Sequence, residues 1–233
     1  MMKKITMAVF CLLLCMPSFS QVRQEIFYTF AHSVDRGMEG GENFLSLSYG
    51  AEFNKVNLTA GFQSGAELTD ITLKGEYFPF EFENEKGSIK RLGTDLIYHV
   101  QYHDYYCEQD FLWGIDFEWK SLHGFFIRTA TWLKYKYTDI YSVIKSTSKI
   151  EPDAYFAFGK VFDSGTTVSL SHGFHSMYRY NSASESVFTL SVRQDFNAGI
   201  SLEAETEICF TDQMAAVNHL ESSQFRVAMG VRF

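Results

Sequence analysis

The densest group of chemically capable side chains is Ser171-His172-Gly173-Phe174-His175-Ser176, with two imidazoles and two hydroxyls in six residues. A serine becomes a nucleophile when a histidine takes its proton, which in an extended segment requires both side chains on one face, two residues apart. The spacing fails that requirement. Val168, Leu170, His172, Phe174 and Ser176 share a face, so Phe174 stands where the serine is needed. The following extended segment presents Phe188 and Leu190, which cannot orient an imidazole. No catalytic residue is assigned, and the chain is read as not an enzyme.

Other reactive sets fare no better. His99 and His103 are four apart, which suits a metal on a helix but separates them by about 13 Å along a strand. His172 and His175 face opposite sides of a strand. His103 with Asp104, Glu108 and Asp110 gathers acids and an imidazole near one connection, and is read as solvated loop acids. There is no phosphate-cradling glycine loop, HExxH, CxxC or GxSxG. The expectation is therefore no metal and no cofactor.

Two charged strips are more promising. Arg128, Lys134 and Lys136 form a basic strip in one segment, and Glu203, Glu205 and Glu207 an acidic strip in another. If both line a channel, they set up a transverse field that orients small polar solutes. If the channel is closed, they are interior salt bridges that fill it. Both readings stand at this level.

What must position these strips is a set of strands. Apolar and polar residues alternate with a period of two to the last residue: Phe225, Val227, Met229, Val231 and Phe233 on one face, Arg226, Ala228, Gly230 and Arg232 on the other. Twelve strands are expected, at about 23–32, 43–53, 55–63, 68–78, 91–103, 110–120, 124–137, 153–162, 166–177, 186–196, 199–210 and 223–233. An even number places both termini on one side of a barrel. Connections after even strands are mostly tight, whereas 33–42, 138–152, 178–185 and 211–222 are long. The short link 64–67 and the long link 79–90 break that rule.

Alternation is the same in soluble and membrane barrels, so the polar face decides between them. It carries Ser46, Ser48, Gly50, Gly61, Gly114 and Ala130, where a water-exposed face would carry long charged side chains. Small residues suit a crowded concave interior. Charges on that face are expected in pairs, Asp116 beside Arg128 and Glu207 near Arg226, with Glu203 and Glu205 opposite the small Gly230 and Ala228. On the apolar face, Phe111, Trp113, Ile115, Phe117 and Trp119 make a lipid-facing girdle.

The fold class is thus all-β, a single antiparallel up-and-down transmembrane β-barrel of twelve strands, with ten as the alternative. It occupies residues 21–233. Residues 1–20 read as a signal peptide: Lys3 and Lys4, then an apolar run from Met7 to Cys15, then Pro17-Ser18-Phe19-Ser20. Leu14 before Cys15 is bulkier than a lipoprotein signal wants. The net charge of −8, more negative once Lys3 and Lys4 are removed, excludes a general nucleic-acid binder. Cys107 and Cys209 survive processing, and their spacing leaves open whether they are bridged.

The final strand resembles the terminal strand of Gram-negative outer-membrane β-barrel proteins of the porin-like class, which ends in an aromatic residue preceded by alternating apolar positions; here these are Phe233, Val231, Met229, Val227 and Phe225. The resemblance implies a cell outer-membrane location and recognition of this strand by the barrel assembly machinery. Outer-membrane lipid and small polar solutes are the expected partners, and a monomer is the expected state. Outer-membrane lipid hydrolases are similar in carrying His and Ser on a lipid-facing strand, but Phe174 departs from that pattern. The expected function is passive passage of small hydrophilic solutes through a narrow polar lumen lined by Arg128, Lys134, Lys136, Glu203, Glu205 and Glu207. The alternatives are a surface-interaction or structural barrel with a closed lumen, and after it a lipid-modifying enzyme.

Overall fold

The computed structural model describes residues 23–35, 41–65, 68–84, 87–141, 145–173, 186–210 and 220–233. The expected signal at 1–20 lies outside them. The described residues form β1 (Arg23–Asp35), β2 (Glu42–Phe53), β3 (Val56–Ser64), β4 (Leu68–Glu83), β5 (Ile89–His103) and β6 (Tyr106–Lys120). They continue with β7 (Phe125–Ile140), β8 (Lys145–Val161), β9 (Thr166–Gly173), β10 (Ser186–Asp195), β11 (Ile200–Phe210) and β12 (Leu220–Arg232). Each strand pairs with its sequence neighbours, and β1 closes the sheet on β12 in antiparallel register from Glu25↔Arg232 to Asp35↔Ser222. The result is an up-and-down barrel of twelve strands, not ten.

Burial runs opposite to that of a water-soluble protein. On β6, outward Trp113 and Ile115 are 59% and 60% exposed, while inward Asp116, one residue along, is fully buried. Tyr28, Phe30, Leu45, Leu133 and Met229 are likewise exposed on the outer face. Arg226, Glu207 and Asp95 are buried inside. Water penalises that arrangement and hydrocarbon favours it.

Several expected boundaries shift, each for a local reason. The link 79–90 is not long, because β4 runs on to Glu83 and pairs with β5 down to Ile89. Pro79 has no N–H for the ladder, so the register with β5 slips between Tyr77 and Phe80. Beside it the Phe78 N–H donates to the Lys55 carbonyl at 2.8 Å, and Lys55 Nζ donates to the Pro79 carbonyl at 3.0 Å. The link 138–152 is mostly strand, since β7 reaches Ile140 and β8 begins at Lys145. β6 begins at Tyr106, which brings Glu108 and Asp110 into the wall as buried, inward residues instead of solvated loop acids. β9 is described only to Gly173, so Phe174, His175 and Ser176 lie outside the described residues.

The rim that carries both termini is built from repeated turns. The N–H groups of Gly87, Gly124, Gly165 and Gly199 donate to the carbonyls of Asn84, Ser121, Phe162 and Phe196, three residues earlier. Each glycine has a positive φ, from 72° to 81°, as in a hairpin turn followed by a glycine bulge. Gly124 is needed twice over, because its carbonyl accepts the Val161 N–H at 2.9 Å and a Cβ on it would lie 2.1 Å from the Val161 oxygen. Gly165 and Gly199 accept the Asp195 and Arg232 N–H groups in the same way. Cys107 and Cys209 are both buried, Cys107 on an outward and Cys209 on an inward strand position.

Two outcomes follow. Ile115→Arg should destabilise the barrel in lipid by about 2–4 kcal/mol, measured by reversible urea unfolding in vesicles, whereas a water-facing position would tolerate it. Gly124→Ala should cost about 1–3 kcal/mol in the same measurement through its left-handed backbone, with further loss from the Val161 contact.

Candidate functional site

All six residues of the two charged strips point into the lumen, but they are not equivalent. The basic strip on β7 is neutralised by its neighbours. Arg128 Nε donates to Asp116 Oδ2 on β6 at 2.9 Å, its Nη2 reaches Glu76 on β4 and Asp116, and Asp95 on β5 lies 3.8 Å away. Lys134 pairs with Glu151 at 2.8 Å and with Asp153 at 3.6 Å on β8. Lys136 pairs with Glu108 on β6 at 2.7 Å.

The expected Asp116–Arg128 pair is therefore present, one member of a larger cluster. The Glu76, Asp95 and Asp116 carboxylates converge to within 4.8 Å of one another, a spacing that fits a metal ion. The Arg128 guanidinium supplies the positive charge there, and Lys74 Nζ adds a second at 2.6 Å from Glu76. The alternation marks these residues as inward. What it does not show is that Arg128 reaches past β6 and β5 to Glu76 on β4, since that depends on barrel curvature.

The acidic strip on β11 shares one cation among the described residues. Arg226 on β12 contacts Glu205, its register partner, and Glu207 at 3.3 Å. Glu207 near Arg226 agrees with the sequence reading. The expected Glu203–Gly230 and Glu205–Ala228 pairings are shifted by two: the Gly199 carbonyl takes the Arg232 N–H and Ser201 faces Gly230, so Glu203 lies opposite Ala228, still a small residue, and Glu205 opposite Arg226. Glu203 has no ion pair among the described residues; its Oε1 accepts the Ser191 hydroxyl at 3.0 Å.

Two further groups escape sequence reasoning. His99 Nε2 lies 2.6 Å from Asp70 Oδ2, which also accepts from Gln101 at 3.0 Å, so this histidine is engaged inside the lumen. At the terminal rim Arg193 holds Glu25 at 2.7 Å and Asp195 at 2.9 Å, with Arg232 on the same two acids. Glu25 and Arg193 are 168 residues apart, so only the closure of β1 on β12 brings them together.

Cavities occupy the lumen between these groups. One of about 290 Å³ is lined by Thr29, Ser48, Gly61, Glu203, Glu205 and Arg226 among others. A second of about 290 Å³ is lined by Trp132, Asp153, Tyr155, Glu203, Glu205 and Glu207 among others. A third, of about 370 Å³ near the terminal rim, includes Glu25, Glu76, Arg91, Arg128 and Arg193. Glu203 and Glu205 line both the first and second, Arg193 both the first and third, and Arg128 both the second and third. Single layers of side chain separate these spaces.

On the lipid face, His172 does find a hydroxyl. Its Nε2 lies 3.0 Å from Ser186 Oγ on β10, two residues along from Phe188, the direct register partner. Ser186 is fully buried, and the imidazole packs against Phe188 with ring centroids 4.6 Å apart. A buried hydroxyl offers no open approach to an ester carbonyl.

No protein-family model matches the chain, and no curated protein matches it. Solved structures do. The NanC porin superposes with a TM-score of 0.57 at 9% identity, covering 88% of this chain and 100% of that one. The COG4313 outer membrane channel from Pseudomonas putida F1 gives 0.57 at 10% identity, covering 94% and 99%. The KdgM porin, also seen in complex with disordered oligogalacturonate, gives 0.54 at 8% identity as the unliganded protein, covering 89% and 99%. The chain has the fold of Gram-negative outer-membrane porins. Outer membrane phospholipase A from Escherichia coli matches too, with a TM-score of 0.50 at 8% identity, so the barrel alone does not separate channels from hydrolases.

The network around Arg128 yields a measurable expectation. Arg128→Met leaves three buried carboxylates short of their main partner and should cost about 3–5 kcal/mol, read by urea unfolding. Adding Glu76→Gln, Asp95→Asn and Asp116→Asn to it should restore most of that stability.

Proposed function

We propose that this barrel lets small hydrophilic solutes cross the cell outer membrane passively through a narrow polar lumen. The observation that carries the reading is the set of cavities inside the barrel, bordered by charged side chains and sharing wall residues from the terminal rim to the acidic strip. A barrel filled for structural reasons alone would pack those spaces with side chains. The likeness to channel-forming barrels supports the same reading. The protein acts as a monomer in outer-membrane lipid, and its terminal strand ending at Phe233 is the segment read by the barrel assembly machinery.

The rival readings have less support. A surface-interaction barrel with a closed lumen draws on long segments at 138–152 and 211–222. The first is largely wall, and 211–219 lies outside the described residues. A lipid-modifying enzyme would need the Ser186 hydroxyl to be accessible, and it is not.

Purified protein in a planar bilayer should give discrete conductance steps. Gly61→Phe, at a position where an added Cβ would stand 3.9 Å from the nearest side-chain atoms, should fold and lower the step size. A correctly folded protein that remains silent overturns the reading.

A further inference from the structure

We propose that the lumen selects for small cations, and that Glu203 is the wall carboxylate they meet. This rests on the solute-passage reading above and names the class of solute. Acids exceed bases in three separate groups along the wall. Glu76, Asp95 and Asp116 face Arg128 and Lys74. Asp70, Glu108 and Asp110 face His99 and Lys136. Glu205 and Glu207 share Arg226, and Glu203 beside them has no ion pair among the described residues. Among the described residues the excess thus recurs at three places on the wall.

The groups differ in access. Asp95 and Asp116 are fully buried and packed against Arg128, whereas Glu203 is half-buried and borders two cavities. Asp153, 3% exposed, lines one of these cavities with Glu203, and its Oδ2 accepts no hydrogen bond among the described residues. The cation beside it, Lys134 at 3.6 Å, is held more closely by Glu151. On the same inward wall Gln224, opposite Glu207 and 2% exposed, has neither its amide oxygen nor its nitrogen bonded among the described residues. Buried polar groups with unmet capacity beside a carboxylate surplus are completed by a positively charged, hydrated visitor.

An anion meets the opposite situation. Arg91, Arg128, Arg193 and Arg226, which all line cavities, are each tied to at least two carboxylates, so binding an anion there would mean displacing an existing partner. Low-dielectric walls focus the surplus field along the passage and raise cation concentration inside it.

The test is the reversal potential of the full protein in a planar bilayer across a potassium chloride gradient. A potential on the potassium side is expected. Glu203→Gln, which keeps an acceptor for Ser191, should lower the potassium-to-chloride permeability ratio by about half while step size and heat-modifiable gel mobility are retained. A conducting protein with no preference, or a preference for chloride, overturns the cation proposal and leaves the passage reading standing. Cation preference that is unmoved in Glu203→Gln overturns the role of this residue. A silent protein overturns the passage reading itself, and the selectivity proposal with it.

Discussion

Within hydrocarbon an unpaired backbone N–H or C=O costs several kcal/mol, because no water is present to satisfy it. The seam between β1 and β12 meets that constraint, and the rest of the molecule depends on it. Once the sheet closes, every strand has a neighbour on each side and no edge remains. Closure also brings together residues from the two ends of the chain, including Glu25 with Arg193 and Arg232. It converts the period-two alternation into two environments, with lipid outside and a crowded polar space within.

The polar interior brings its own demand, since each charge turned inward must find partners among neighbouring strands. Arg128 draws on carboxylates from β4, β5 and β6, and Lys134 and Lys136 on acids one strand away. The basic strip is consumed locally, while on the acidic strip Arg226 serves Glu205 and Glu207 and, among the described residues, Glu203 has no ion pair. A passage that is symmetrical in sequence, with one basic and one acidic strip, is therefore asymmetrical in space. The wall at Glu203 remains under-compensated.

Strand positions and faces are legible in the sequence because they depend only on alternation, which lipid on one side and a lumen on the other enforce at every residue. Hairpin pairs such as Asp116 with Arg128 are legible too, since a tight turn fixes the distance between them. Partners separated by several strands are not: Arg128 with Glu76 and Glu25 with Arg193 both require curvature and stagger. The continuation of β4 past Pro79 is hidden for another reason. Proline ordinarily stops a ladder, but here β3 begins only at Val56, opposite Tyr77, so beyond that point β4 loses little by pairing with β5 alone. Ser186 is hidden as the neighbour of His172 because their contact runs diagonally between strands, to the very start of β10.

The turn glycines on the terminal rim have an effect well beyond the hairpins they close. The carbonyls of Gly124, Gly165 and Gly199 each accept an N–H from the end of the strand that follows their hairpin, β8, β10 and β12, and the Lys55 carbonyl does so for Phe78 on β4. These bonds join one hairpin to the next and fix how far each is displaced along its predecessor. For a given number of strands, that stagger sets the tilt and, through the tilt, the bore. The width available to a solute at the middle of the barrel is thus gauged partly at its rim, by residues that never touch the solute.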